Sequence, residues 1–274
     1  MALATQHGKG DAVARPLEVH LGASVRVAAV DTDQLGTFTG ERERPGPAAT
    51  VCEQKARLGM AALALPYGLA SEGSFGPHPA APFASGGVEL LTFVDDVRGL
   101  VVTEQSLTFD TNFSHRVVTR AAELDEWLGA ARFPSHALIV RAAEAPWSTP
   151  IDKGIRDRGE LAAAVDAAVR ASPVGRAQVE TDMRAHCNPT RMAHIAQLAE
   201  QLARRLATPC PECGAPAWGV TSVERGLPCA WCDTPTERAR GEWMGSPACA
   251  HRAFRPRTDG RSHADPGECL RCNP

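Results

Sequence analysis

Lysine is nearly absent from this chain: Lys9, Lys55 and Lys153 stand against 26 arginines in 274 residues. Ala, Arg, Gly and Pro dominate, as in a chain from a GC-rich genome whose codons drift toward arginine. A lysine that survives such drift marks a place where a compact ammonium is needed and a planar guanidinium does not replace it, as at a phosphate or a catalytic centre. Long apolar runs are missing as well. No segment approaches 18 uninterrupted apolar residues, so no transmembrane helix and no membrane partner are expected. The opening M-A-L-A-T-Q-H-G-K has no apolar run of signal length, which predicts a cytoplasmic protein. The net charge of −3 excludes an overall basic field for nucleic acid.

Cysteine is also scarce, except at one end. Seven of the nine cysteines fall within the last 65 residues. Cys210 and Cys213 read C-P-E-C, and Cys229 and Cys232 read C-A-W-C, with fifteen residues between the two pairs. This spacing suits one tetrahedral Zn²⁺ held by four thiolates. In a reducing compartment, paired thiols set among Pro and Gly bind metal rather than form disulfides. A second group follows: Cys249, then Cys269 and Cys272. Ser246 stands where a C-x-x-C partner of Cys249 would be, so His251 or His263 would complete a Cys₃His set, with His251 the expected ligand for its closeness to Cys249. Sequential pairing of the knuckles gives two ribbon-like sites and alternate pairing a cross-braced one; the spacing leaves both open. The length fits one large domain over residues 1–207 and a zinc-binding module over 208–274. Such a module is too small to build much of a core, so metal carries its folding.

The first 207 residues alternate predicted strands and helices. Strands are expected at Met1–Thr5, Ser24–Val30, Gly68–Ala70, Val88–Val94, Gly99–Leu107 and His136–Arg141. Helices are expected at Asp11–Leu21, Ala48–Leu65, Leu124–Ala131, Glu160–Ala171 and from Pro189 to about Leu206. S-E-G-S-F-G-P-H-P after Ala70 reads as a Gly/Pro loop. The pattern predicts an α/β fold, a mixed-sheet layered domain followed by a small zinc-ribbon-like module.

Several stretches together carry a resemblance: A-L-A-T-Q-H-G-K, D-T-D-Q-L-G-T-F-T-G-E, K-A-R-L-G-M, L-A-S-E-G-S-F-G-P-H-P, F-P-S-H-A-L-I-V-R, V-E-T-D-M-R-A-H-C-N-P-T-R and A-D-P-G-E-C-L-R-C-N-P. They cover nearly the whole chain, and the chain resembles an uncharacterised bacterial family with a C-terminal Cys-rich zinc module. It departs from that pattern at Gly10, where an acidic residue usually follows H-G-K, and at Ser246, where a knuckle cysteine is usual. The order of features is also similar, more remotely, to the pyrophosphatases of inosine and xanthosine triphosphates. Thr5-Gln6-His7-Gly8-Lys9, Gly36-Thr37-Phe38 leading toward Lys55-Ala56, and Ser71-Glu72-Gly73 stand in for their motifs, with the first loop one residue short and His7 in place of Asn.

The residues support a related reading on their own. His7-Gly8-Lys9 after a strand offers a flexible backbone and a cation for phosphate. Glu72, at a strand end beside glycines, suits metal binding or water activation. Glu41 and Glu43 flank an arginine in a glycine-rich loop and offer hard oxygen ligands for Mg²⁺ or Mn²⁺. E-T-D-M-R-A-H-C-N-P-T-R contributes Asp182 as a ligand and Arg184 and Arg191 as phosphate clamps, or else a network that caps and ties down the last helix. The expected function is therefore a metal-dependent phosphohydrolase. It would act on a nucleotide or other small phosphorylated substrate through Glu72, Asp182 and Glu41, with His7, Lys9, Lys55, Lys153, Arg184 and Arg191 on the substrate. The alternative is a non-catalytic ligand sensor whose zinc module contacts a partner or nucleic acid.

Overall fold

The computed structural model describes residues 1–36, 42–78, 81–146 and 149–274. The chain forms two compact units, Met1–Leu202 and Ala203–Pro274. Among the described residues, no helix is long and apolar enough to cross a membrane.

Unit 1 is a mixed α/β unit with two sheets. In the first sheet, β1 (Ala2–Ala4) lies parallel to both β2 (Arg26–Ala28) and β3 (Tyr67–His78). Two long antiparallel strands, β4 (Ala81–Asp95) and β5 (Leu100–Thr108), extend it in the order β2-β1-β3-β4-β5. β1 consists of small apolar residues, all buried, so helix α2 (Ala48–Leu63) packs closely on it. Cys52, Ala56 and Met60 of α2 meet Ala2, Ala4, Ala70 and Val94 there. Helix α1 (Gly10–Leu21) follows β1 after a five-residue turn, burying Val13 and Leu17.

The second sheet is antiparallel, in the order β6-β9-β7-β8, from β6 (His115–Val118), β7 (Leu138–Ala142), β8 (Asp152–Ile155) and β9 (Ala177–Thr181). Helices α3 (Asp125–Ala130) and α4 (Arg158–Ala171) cover it, with Leu124, Trp127, Leu138, Val140, Leu161, Val165 and Val179 in one core. Asp157 caps α4 by accepting from the Gly159 and Glu160 amides. The last helix, α5 (Pro189–Ala207), has Pro at its first position. Asn188 caps it, its Oδ1 accepting the Arg191 amide at 3.0 Å. Its apolar stripe of Ile195, Leu198, Ala199 and Leu202 is buried, as the helical spacing requires.

Two expectations need correction. The Gly/Pro loop after Ala70 is the outer half of β3, paired with β4 as far as His78. Strands β6, β8 and β9 have no counterpart in the sequence reading; β6 and β8 are only four residues each, too short for their alternation to stand out.

Unit 2 is a three-stranded antiparallel sheet, β10 (Gly219–Arg225), β11 (Ala239–Gly245) and β12 (Arg252–Pro256). Its cysteine hooks sit between the strands. Cys210 and Cys213 precede β10, Cys229 and Cys232 follow it, Ser246 and Cys249 follow β11, and Cys269 and Cys272 follow β12. Because each antiparallel strand reverses direction, successive hooks fall at alternate ends of the sheet.

Candidate functional site

A cleft of about 90 Å³ opens beyond the carboxyl ends of β1 and β2, beside Ser71–Gly73 in the middle of β3. With β2 and β3 flanking β1 on opposite sides, the order 2-1-3 makes the carboxyl end of β1 a switch point, and ligands of open α/β sheets gather at such points. The turn Thr5–Lys9 enters α1 there, with Gly8 in the left-handed region at φ +66°. The cleft is lined by four basic side chains, Lys9, Arg44, Lys55 and Arg191, and two acidic ones, Asp33 and Glu72, together with His7 and Ser71.

Each basic group is held differently. Lys55, buried on α2, forms an ion pair with Glu72 of β3. Arg44 reaches the other Glu72 oxygen at 3.3 Å, the Gly73 carbonyl at 3.2 Å and the Ser74 hydroxyl at 3.2 Å. Arg191, in the first turn of α5, is almost wholly buried. Its Nε donates to Glu89 Oε1 at 2.5 Å, and a second nitrogen donates to the Met183 carbonyl. Gly73 lies opposite Glu89 across β3 and β4, and a Cβ there would fall on the Arg191 guanidinium and the Glu89 carboxylate. Glycine at this register position is what lets the buried pair form behind the cleft wall.

Lys9 is the exception. Its side chain is buried, with the residue 6 % exposed, and its Nζ donates to the Ser71 hydroxyl at 2.8 Å. Among the described residues, no carboxylate forms an ion pair with it. Burial and then the Arg191 charge lower its pKa from 10.5 to about 8, against the smaller opposing pull of Glu89 and Glu72. His7 stacks on His186 with ring centroids 5.4 Å apart. Burial, then the charges of Lys9, His186, Arg184 and Arg191, lower its pKa to about 4, so the ring is neutral at physiological pH.

The structure thus brings His7, Lys9, Lys55, Glu72 and Arg191 to one cleft. Asp182 does not line it. That carboxylate is fully buried and accepts from the Arg184 backbone N–H at 3.0 Å, from Nε at 3.0 and 3.1 Å and from Nη2 at 2.6 Å. Burial alone would raise its pKa, but the Arg184 hydrogen bonds prevail and hold it below the usual aspartate value. Arg184 is engaged in the same pair, so the two carry matched charge outside the cleft lining. Lys153 lines a different surface groove with Asp152, Ile155 and Glu160. Glu41 lies outside the described residues. Cys52 is a buried thiol donating to the Ala70 carbonyl at 3.0 Å, with burial raising its pKa to about 11.

Sequence reasoning missed Arg44, Asp33 and Glu89. Glu89 had a signal: a lone carboxylate in the apolar strand V-E-L-L-T-F-V, where burial demands a partner. Arg44, among several charges in a Pro/Gly-rich segment, had none.

The cysteines form two groups that could hold a metal such as zinc, but not the sequential pair of sites that the C-x₂-C-x₁₅-C-x₂-C spacing suggested. Cys229, Cys232, Cys269 and Cys272 gather at one end of the unit 2 sheet, and Cys210, Cys213 and Cys249 at the other. The alternation of hooks along antiparallel strands accounts for the cross-braced pairing. Sulfur separations of 3.9 Å for Cys229–Cys272, 3.7 Å for Cys232–Cys269 and 3.9 Å for Cys210–Cys249 match the edge of roughly 3.8 Å that Zn–S bonds of about 2.3 Å give a tetrahedron. His251 belongs to neither group. Its ring stacks on Trp218 at 5.1 Å, and its backbone hydrogen-bonds Cys249. Among the described residues, these are the two places where three or more metal-ligating side chains converge.

No curated protein and no solved structure matches the chain. One family model matches residues 55–274, which include Lys55, Ser71, Glu72, Glu89, Arg191 and every knuckle cysteine. The chain belongs to that family, described as a domain of unknown function, DUF6671.

Proposed function

We propose that the unit 1 cleft binds the phosphate groups of a small phosphorylated molecule, such as a nucleotide, and that the protein hydrolyses it. The observation that carries this reading is Lys9. A buried ammonium whose one partner among the described residues is a neutral hydroxyl is costly unless an anion completes it. Among the described residues lining the cleft it faces, Arg191 is already matched by Glu89, while Lys55 and Arg44 share the single Glu72 carboxylate. A multiply charged oxyanion supplies the missing negative charge. Neutral His7 can donate a hydrogen bond to it, and Lys9 can neutralise charge that develops on a transferring phosphoryl group.

The donor set suits a divalent ion only in part. Mg²⁺ or Mn²⁺ is usually held by one or two carboxylates together with substrate phosphates, and among the described residues Glu72 and Asp33 are the carboxylates that line the cleft. Such an ion would supply charge neutralisation and a more acidic water. Glu72 takes part only if ligand phosphate draws Lys55 or Arg44 away from it. The four-cysteine cluster supplies structural zinc in this reading, because a four-thiolate site leaves no open position for water.

The test is pyrophosphate or phosphate release from a panel of standard and deaminated nucleotides, with and without Mg²⁺. Metal-dependent release is expected, with Glu72→Gln folded and slower by ~10²-fold or more. Lys9→Arg should also be impaired, since a fork-shaped guanidinium does not fit the tight turn. Binding of tripolyphosphate without release from any substrate would favour the sensor reading. The clamping of Glu72 between two cations is the observation on that side.

A further inference from the structure

We infer that the Cys210–Cys213–Cys249 cluster is a three-thiolate zinc site closed by the Ser246 hydroxyl, and that it exchanges its metal while the four-cysteine cluster retains its own. The inference rests on the reading of unit 2 as a zinc module. Three of the four hooks are C-x-x-C; the fourth is Ser246-Pro-Ala-Cys249. The fold puts that hydroxyl where the eighth thiolate would be. Ser246 Oγ lies 3.6 Å from Cys213 Sγ and is also within hydrogen-bonding reach of Cys210 and Cys249. Zn–S bonds of about 2.3 Å and a Zn–O bond of about 2.0 Å would set an S···O tetrahedral edge of roughly 3.5 Å. The oxygen is also oriented as a knuckle ligand should be, accepting the Ala248 amide at 3.1 Å. His251, the rival for the fourth position, is not among the side chains that converge there, and its ring stacks on Trp218.

A neutral hydroxyl is a far weaker donor to Zn²⁺ than a thiolate, so the fourth bond is the one that opens to water or to a competing ligand. Exposure acts in the same direction. Cys213 is exposed and Cys249 half-buried, whereas the other cluster has two buried and two half-buried sulfurs. One sheet therefore carries a closed site at one end and an openable site at the other.

The experiment is zinc release from the full chain to a chromophoric chelator, after elemental analysis of the starting material. Two equivalents of zinc per chain are expected, one leaving in a fast phase and one in a slow phase. Ser246→Cys should convert the fast phase to a slow one, Ser246→Ala should speed it, and His251→Ala should leave both phases in place. Cobalt substitution of the unaltered protein needs no variant. Its thiolate charge-transfer intensity should correspond to seven sulfurs on two ions. Release of two equivalents in one phase, persistence of the fast phase in Ser246→Cys, or loss of the fast equivalent in His251→Ala would overturn the inference. An unchanged fast rate in Ser246→Ala would hand the fourth position to water and overturn the hydroxyl's role. A chain without zinc would sink the zinc-module reading itself, a result distinct from all of these.

Discussion

Replacing Lys9 by methionine should make the ligand-free protein more stable while removing its affinity for phosphate. The reasoning starts from the cost of burying the ammonium. A fall in pKa from 10.5 to about 8 corresponds to about 3 kcal/mol of preference for the neutral form in the folded state. Methionine of similar length escapes that cost but loses the hydrogen bond to Ser71, about 1 kcal/mol. The net gain near pH 7 is on the order of 1–2 kcal/mol, or roughly 2–8 °C in Tm for a unit of this size. Tripolyphosphate at a hundredfold excess over its Kd should stabilise the unaltered protein by about 2.7 kcal/mol and the variant hardly at all, so the order of stability reverses on adding ligand. The advantage of the variant also has a pH window. Below pH 8, Lys9 is charged in both states and its cost is fully present. Between about 8 and 10.5 the folded protein sheds this proton while the unfolded chain keeps it, so the unaltered protein gains stability and the gap closes. Thermal unfolding at several pH values, with and without ligand, measures all of this. A Lys9→Met variant that is less stable than its parent at pH 7, or that is still stabilised by tripolyphosphate, would refute the argument.

Three other outcomes are expected. Glu89→Ala strands the buried Arg191 guanidinium and should cost about 3–5 kcal/mol of unit 1 stability in denaturant titrations; a loss below about 1 kcal/mol would mean that the pair is not buried as described. Cys229→Ser should abolish the unfolding transition of unit 2 and leave that of unit 1 in calorimetry, because metal binding and folding are coupled in so small a unit; two intact transitions would contradict this. His7→Gln should flatten the acid side of the stability profile: the unfolded chain takes up this proton near pH 6.5 and the folded one near 4, so stability drains away as pH falls through that window. Parallel profiles for the two proteins would dismiss it.

Much of the cleft could be read from residue identity, and much of its wiring could not. Codon drift toward arginine made the lysines conspicuous, and Lys9 and Lys55 both line the cleft; Lys153 does not, because β8 sits at the edge of the other sheet. The outer half of β3 was hidden by its own glycines and proline. Those lower strand propensity, yet Gly73 is there because Arg191 and Glu89 fill the space of its side chain, a contact between residues 102 positions apart in sequence. Asp182 and Arg184 looked like two functional groups and proved to be one closed pair, since a two-residue separation lets the guanidinium fold back on the carboxylate. The knuckle pairing failed for a topological reason: spacing along the chain favoured the first two hooks, but the strand between them carries the second hook to the other end of the sheet.

The same accounting separates structural from functional charge in unit 1. Glu89 has Arg191, Asp182 has Arg184, Glu180 has Arg141 and Asp95 has Arg98, each carboxylate matched by an arginine whose planar fork makes directed bonds. These pairs hold elements in place and leave no charge over. Around the cleft the matching breaks down among the described residues, since Lys55 and Arg44 share one carboxylate and the partner of Lys9 is a hydroxyl. Folding alone gives no reason to leave a buried ammonium in that state, because methionine would pack there at lower cost. A ligand that brings its own negative charge does, and it explains why lysine persists at this position in a chain that otherwise uses arginine.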